Sequence, residues 1–154
     1  MLHVSEDGTA VALRWGSGDR EAQIEFASPH CRYRDASDPH LASDDIVEYT
    51  VRLSGNGLTA QALVLSLDTA GSGLPAFLEQ LGEDFRGWNG TRRWENQDHD
   101  LGVEATWSSR GHVDLRWWIT SSIYDKWSAA VVVDVEAGAE MSAFARELSS
   151  FFAL

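Results

Sequence analysis

The sequence predicts an α+β fold in which largely antiparallel, twisted sheets of about eight strands pack against two helices. Segments with alternating apolar and polar residues recur along most of the chain. Two other segments, residues 74–88 and 141–152, have the three-and-four spacing of an amphipathic helix. An apolar strand precedes each helix. The same pattern therefore also fits a fold in which one β-meander-plus-helix unit is repeated twice.

Two hairpins are predicted in the first half of the chain. Residues 10–16 and 21–28 alternate in polarity and are separated by the turn residues of 16–19. Residues 47–53 and 58–67 flank Asn56-Gly57, a dipeptide favoured in turns where both central residues need positive φ. The second strand of this hairpin is apolar on both faces from Leu63 to Leu67. This pattern predicts a central strand that a helix covers.

The first helix is predicted to run from Leu74 to a left-handed end at Gly87, with Pro75 in its first turn. Its apolar stripe comprises Leu74, Phe77, Leu78, Leu81, Phe85 and Trp88. Further strands are expected from residue 91, at 101–107, at 112–120 and at 126–136. The last helix has a matching stripe of Met141, Phe144, Ala145, Leu148 and Phe152. A true duplication and a shared packing rule both explain the match between the two helices.

The predicted core draws on both helices and on strands of both halves. It comprises Val51, Leu65, Phe77, Leu78, Leu81, Phe85, Val103, Leu115, Val131, Val133, Phe144 and Leu148.

The length of 154 residues is typical of one domain, so we expect residues 1–154 to form a single domain. The formal charge of −12 argues against a protein that reads a nucleic-acid backbone, and it favours basic partners. The amino terminus resembles no signal peptide, and no segment is apolar enough to span a membrane. With a single cysteine, Cys31, these features indicate a cytoplasmic protein that does not contact membranes.

Residues 29–45 form an acidic, aperiodic segment, and connections of this length are often functional. We expect it to provide a contact surface for a protein partner through Asp35, Asp38, Asp44 and Asp45. A metal site of His30, Cys31, Asp35, Asp38 and His40 is an alternative, but the spacing matches no compact motif and the ligand types suit no single metal. We therefore expect neither a metal nor another cofactor.

Catalytic motifs are scarce. His99 lies between Asp98 and Asp100, and His112 begins a nearby strand, which would suit acid–base chemistry. Aspartates are equally common in turns, where they bond to the local backbone. No nucleophile elbow, Walker loop or dinucleotide motif is present in the sequence. We therefore expect a protein that is not an enzyme.

The basic cluster of Arg86, Arg92 and Arg93 is interleaved with Trp88 and Trp94. It could line a pocket for an anion or a stacked base. A purely structural role would explain the same pattern. In that case the guanidinium groups stack on tryptophan faces and form ion pairs with Glu83 or Asp84.

Residues 74–94 read L-x-x-F-L-x-x-L-x-x-D-F-R-G-W-x-G-x-R-x-W, and this run resembles an uncharacterised family of small actinobacterial proteins. The resemblance covers roughly residue 44 to the carboxyl terminus, and the family implies no activity or catalytic residues. The order of strands and helices is also similar to that of immunity proteins that neutralise wall-associated contact toxins of bacteria. That resemblance implies a small, acidic, cytosolic protein that binds a toxin domain.

Three functional classes follow from these observations. The first is a non-enzymatic, immunity-type inhibitor that binds a basic toxin domain. The second is a small-molecule-binding or accessory enzyme domain whose pocket is lined by Trp88, Trp94, Trp107 and Trp117. The third is a module that self-associates through an exposed patch at Trp118. The expected assembly is a monomer or a weak homodimer.

Overall fold

The computed structural model describes residues 1–31, 37–39, 46–67, 73–121 and 126–153. Its first sheet has the order β1-β2-β3-β4-β5 and is followed by helix α1. These elements are β1 (Leu2–Val4), β2 (Ala10–Trp15), β3 (Ala22–Cys31), β4 (Ile46–Gly55), β5 (Leu58–Leu67) and α1 (Leu74–Glu83). A 3-10 turn at Gly18–Arg20 joins β2 to β3.

The second sheet has the order β6-β7-β8-β9 and is followed by helix α2. Its elements are β6 (Thr91–Glu95), β7 (Leu101–Ser108), β8 (His112–Thr120), β9 (Ser128–Glu136) and α2 (Ala139–Phe152). All neighbouring strands are antiparallel. The α+β prediction is confirmed, including the succession of strands and one helix that occurs twice. The additional strand in the described residues is β1, which is too short to show alternation.

Both sheets and both helices contribute to one apolar core. Phe26 on β3 lies with its ring centroid 5.7 Å from Trp117 on β8 and 6.3 Å from Phe144 on α2. The end of α2 covers the first sheet, since Phe152 lies 5.0 Å from Tyr49 on β4. Helix α2 therefore links the inner faces of the two sheets.

The two helices also pack against each other, and Gly82 lies at their contact. A Cβ atom at this position would lie 2.5 Å from the Ser142 Oγ atom. Glycine weakens a helix by about 1 kcal/mol relative to alanine. In α1 this loss is offset by the close approach of α2 that a missing side chain permits.

Most of the predicted core is buried, but α1 ends earlier than predicted. The helix stops at Glu83, and the Asp84 N–H donates to Gln80 O. Phe85 therefore lies beyond the helix with 52% of its surface exposed, so its placement in the core was wrong. The chain turns here because Gly87, with φ +105°, lies against the Trp107 indole and brings Trp88 to the second sheet. Phe77 and Leu65 are half-buried.

The prediction that β5 is a central strand was also wrong. Strand β5 pairs with β4 alone and lies at the edge of its sheet, and Leu63 is 62% exposed. A strand that is apolar on both faces can lie at an edge when its outer face is uncovered, and the sequence pattern is the same in both cases. The hairpin itself is confirmed, although Gly57 (φ +78°) has positive φ and Asn56 does not.

Candidate functional site

The predicted tryptophan and arginine cluster is divided by the alternation of β6. Arg92 and Trp94 point to one face of this strand, and Arg93 to the other. The Arg92 guanidinium lies 4.6 Å from the Trp88 ring centroid, and its Nη1 donates to Asp84 Oδ2 at 2.6 Å. These contacts agree with the structural explanation of the cluster, in which the guanidinium stacks on an indole and pairs with a carboxylate.

Arg93 belongs to the outer surface of the second sheet. Its guanidinium lies 5.4 Å from the Trp118 ring and close to Glu95 and Glu104, at 3.4 and 3.2 Å. Trp118 is only 9% exposed, because it lies across Gly102 on the neighbouring strand and beneath Arg93. The expectation that Trp118 marks an exposed patch was wrong.

The four tryptophans proposed for one pocket are in separate surroundings. Trp117 is fully buried among core aromatic rings. Trp88 and Trp107 border a shallow hollow of about 290 Å³. Trp94 borders a different hollow of about 370 Å³, together with Ser66 and Asn96. The two hollows thus separate Trp94 from Trp88 and Trp107, and neither contains Trp117.

A buried polar corner lies beside the second hollow, in the turn between β6 and β7. The Asn96 side-chain oxygen accepts bonds from the N–H groups of Asp100 and Leu101, at 3.0 and 3.1 Å. Its amide group donates to Asp100 Oδ1 and, at 3.5 Å, to the carbonyl of Leu65 on β5. Asn96 and Asp100 are 4% and 9% exposed, so one asparagine both shapes the turn and joins the two sheets.

Burial determines the acid–base character of this corner. Desolvation raises the pKa of Asp100 above its usual value, and the bond from Asn96 opposes that shift. Burial also raises the pKa of Tyr49, and the charge of Asp100 adds to this effect. The sequence pattern named Asp98 and Asp100 only as neighbours of His99 and did not predict that Asp100 is buried. The run of polar residues after Asn96 was the available signal, but it does not show which carboxyl points inward.

The raised pKa of Asp100 predicts a pH-dependent stability. The folded state binds this proton more tightly than the unfolded state, so the charged carboxylate opposes folding above the unfolded pKa. As pH rises above the unfolded pKa of an aspartate, about 3.9, Asp100→Asn should therefore gain free energy of unfolding relative to the unaltered protein. Each unit of pKa shift corresponds to about 1.4 kcal/mol. Urea titrations across this range measure the difference.

The matched control for this experiment is Glu79→Gln, which removes an exposed carboxylate on α1. Its free energy of unfolding, measured over the same range, gives the reference for removing a carboxylate from the surface. A constant difference for Asp100→Asn would contradict the assignment.

The two candidate catalytic histidines are not brought together. His99 (φ +57°) is exposed and lies 3.2 Å from Glu95, near the start of β7. His112 pairs across the strands with Ser108 at the other end of β7, and its Nδ1 lies 2.6 Å from Asp134 Oδ1. Eight strand residues, or about 25 Å, separate these positions. The two histidines do not share a site.

The acidic segment is partly beyond the described residues. Asp35, Asp44 and Asp45 lie outside them, as does His40, whereas Asp38 is described and exposed. His30 lies 3.2 Å from Glu48 on β4. Among the described residues, no group of three or more histidine, cysteine or acidic side chains could hold a metal ion. Within the same ranges, no helix is long and apolar enough to cross a membrane.

The fold and these surfaces define a two-sheet α+β domain with an acidic exterior and a buried polar corner. A family model, described as a family of unknown function (DUF6228), matches residues 16–154, and the chain belongs to that family. The family match begins at residue 16, in the first hairpin. The resemblance described from the sequence alone begins only at about residue 44. Neither the curated proteins nor the solved structures contain a match.

Proposed function

We propose that this protein is a non-enzymatic binding protein of the cytoplasm, specifically an immunity-type inhibitor of a basic toxin domain. The surplus of negative charge carries the proposal. The chain has 24 acidic residues against 12 lysines and arginines. Several arginines are already engaged by carboxylates of the same chain, namely Arg52, Arg92, Arg93 and Arg116.

These ion pairs neutralise arginines that could otherwise face a partner. Carboxylates on the helices and on the outer face of the second sheet remain exposed, for example Glu79, Glu83, Asp114 and Glu136. An acidic surface of this kind attracts a basic protein and accelerates association more than it increases affinity. We place the specific contacts at Asp35, Asp38, Asp44 and Asp45, in the acidic segment.

A pair of variants with equal net charge tests this assignment. The first neutralises Asp35, Asp38, Asp44 and Asp45 to asparagine. The control instead carries Glu6→Gln, Asp19→Asn, Glu79→Gln and Glu83→Gln, all at exposed positions. Each variant loses four negative charges, so general electrostatic attraction falls equally in both.

The partner is first captured from the native strain, and protection is measured by co-expression with it. The segment variant should weaken binding by at least about tenfold, or about 1.4 kcal/mol, while the control retains most of it. Binding should also weaken as salt increases. Equal losses in the two variants would refute the segment as the interface. Recovery of no basic domain, or no relief of toxicity, would refute the inhibitor itself.

A small-molecule-binding or accessory enzyme domain is the second candidate, because the hollow beside Trp94 has the buried amide of Asn96 in its wall. A ligand there should raise the melting temperature of the unaltered protein and not that of Trp94→Ala. A screen in which both proteins respond alike would exclude this hollow.

A further inference from the structure

We propose that β5 is a self-association edge, through which two copies of this chain pair as antiparallel strands. Strand β5 pairs with β4 over ten consecutive residues, from Leu58 opposite Gly55 to Leu67 opposite Ile46. Since the two-residue turn makes Gly55 and Leu58 a hydrogen-bonded pair, alternate residues of β5 bond to β4. The backbone groups of Thr59, Gln61 and Leu63 therefore point away from the sheet.

These outward groups are open to a partner. No backbone bond from outside the strand ladder reaches residues 58–67 in the described part of the chain. The Asn96 amide donates to the carbonyl of Leu65, which closes the far end of the edge. Thr59, Gln61 and Leu63 are exposed, with Leu63 at 62%. The accessible edge thus extends from Thr59 to Leu63.

The other edge strands of the two described sheets have protection that β5 lacks. Strand β1 has three residues, β6 contains Arg92, Arg93 and Glu95, and β9 contains Asp134 and Glu136. Short length and charged side chains are the usual means of preventing edge-to-edge pairing. Strand β5 has ten residues, no charged side chain, no proline and no break in its register.

Charge indicates a second copy as the occupant. Two chains of charge −12 repel each other over most of their surfaces. Residues 58–67 are neutral, and the adjacent Arg52 is paired with Glu25 at 2.8 Å. A basic partner would therefore gain little at this strand, whereas a second copy can approach it without opposing carboxylates.

The geometry of an antiparallel strand suits a two-fold axis, because the same patch serves both copies. With the axis at Gln61, this residue lies opposite the partner subunit's Gln61, and Thr59 lies opposite the partner subunit's Leu63. The Gln61 side chain is held in place by Arg52, whose Nε donates to its Oε1 at 2.8 Å. The first sheets of the two copies then form one continuous sheet.

Sedimentation equilibrium over a range of concentrations tests the proposal with a matched pair of variants. The unaltered protein should dimerise reversibly, and Leu63→Lys should weaken dimerisation by at least about tenfold because a lysine on an edge strand must lose water when the strand is paired. The control is Val132→Lys, which places the same charge on the edge strand β9, where Val132 is 47% exposed. It should leave dimerisation unchanged. Added salt should not weaken the dimer, unlike the binding of a basic partner.

A spin label at position 61 provides a measurement that does not depend on Leu63→Lys folding correctly. In a Cys31→Ser, Gln61→Cys protein, labels on the two copies should lie close together, within about 20 Å, since paired strands are about 5 Å apart. A protein that stays monomeric up to about 1 mM would overturn the proposal. Equal effects of the two lysine variants, or distant labels in a dimer, would also overturn it.

Discussion

Replacing Phe26 by alanine is expected to reduce the free energy of unfolding by about 3–5 kcal/mol, because a large cavity remains where a buried ring was. Phe26 is fully buried and contacts rings from three parts of the fold. Its neighbours are Tyr49, Trp117, Phe144, Phe151 and Phe152. The first sheet, the second sheet and α2 therefore all lose packing contacts at one position. Chemical denaturation followed by circular dichroism measures the loss.

The matched control is Phe85→Ala. Phe85 is 52% exposed and lies beyond the end of α1, so its removal should cost less than about 1 kcal/mol. Phe26→Leu should fall between the two variants, because it keeps part of the buried volume. Comparable losses for Phe26→Ala and Phe85→Ala would contradict the described ends of α1 and the position of the core.

Replacing Gly102 by alanine is expected to cost about 2–3 kcal/mol through steric overlap. An alanine Cβ atom would lie within the Trp118 indole on the neighbouring strand, 2.7 Å from its Nε1 and closer still to two ring carbons. Trp118 cannot swing outward without cost, since Arg93 lies over its ring and the side chain is 9% exposed. Urea unfolding of the single variant measures the penalty.

Two further proteins identify the cause of that penalty. Gly55→Ala is the control, because Gly55 also lies in a strand, has no positive φ and leaves 3.4 Å to the nearest atom. Its cost should be below about 1 kcal/mol. Adding Trp118→Leu to Gly102→Ala should make the double variant more stable than the sum of the single changes predicts. Simple additivity would show that the indole is not the obstacle.

The spacing of apolar residues predicted well which segments are helices and which are strands, because burying one face of an element imposes that spacing. Four residues of the predicted stripe of α2 are buried as expected, namely Met141, Phe144, Ala145 and Leu148, whereas the fifth, Phe152, is half-buried. The end of α1 was less predictable, since the apolar spacing continues to Phe85 and Trp88 although the helix stops at Glu83. The turn depends on Gly87 packing against Trp107, a contact between residues distant in the sequence.

The positions of strands and polar groups within the fold were also harder to predict, because they too depend on contacts between residues distant in the sequence. Residues 63–67 would have the same apolar pattern in a central strand covered by a helix and in an edge strand with one uncovered face. The edge position of β5 could therefore not be predicted from this pattern. Asp98 and Asp100 have the same chemistry, and the sequence does not show that Asp100, which bonds to Asn96, is the buried one. Arg92 and Arg93 point in opposite directions because β6 alternates, yet the sequence pattern had placed both in one candidate pocket.

The contacts of α2 with the first sheet have a consequence for the order in which this protein can fold during synthesis. Tyr49 and Phe26 belong to strands made early, but the rings that cover them, Phe151 and Phe152, leave the ribosome about a hundred residues later. The first five strands can pair as they emerge, yet their inner face stays open until α2 arrives. Because these closing contacts are so distant in sequence, we expect slow folding that is completed only after residues 139–152 are released.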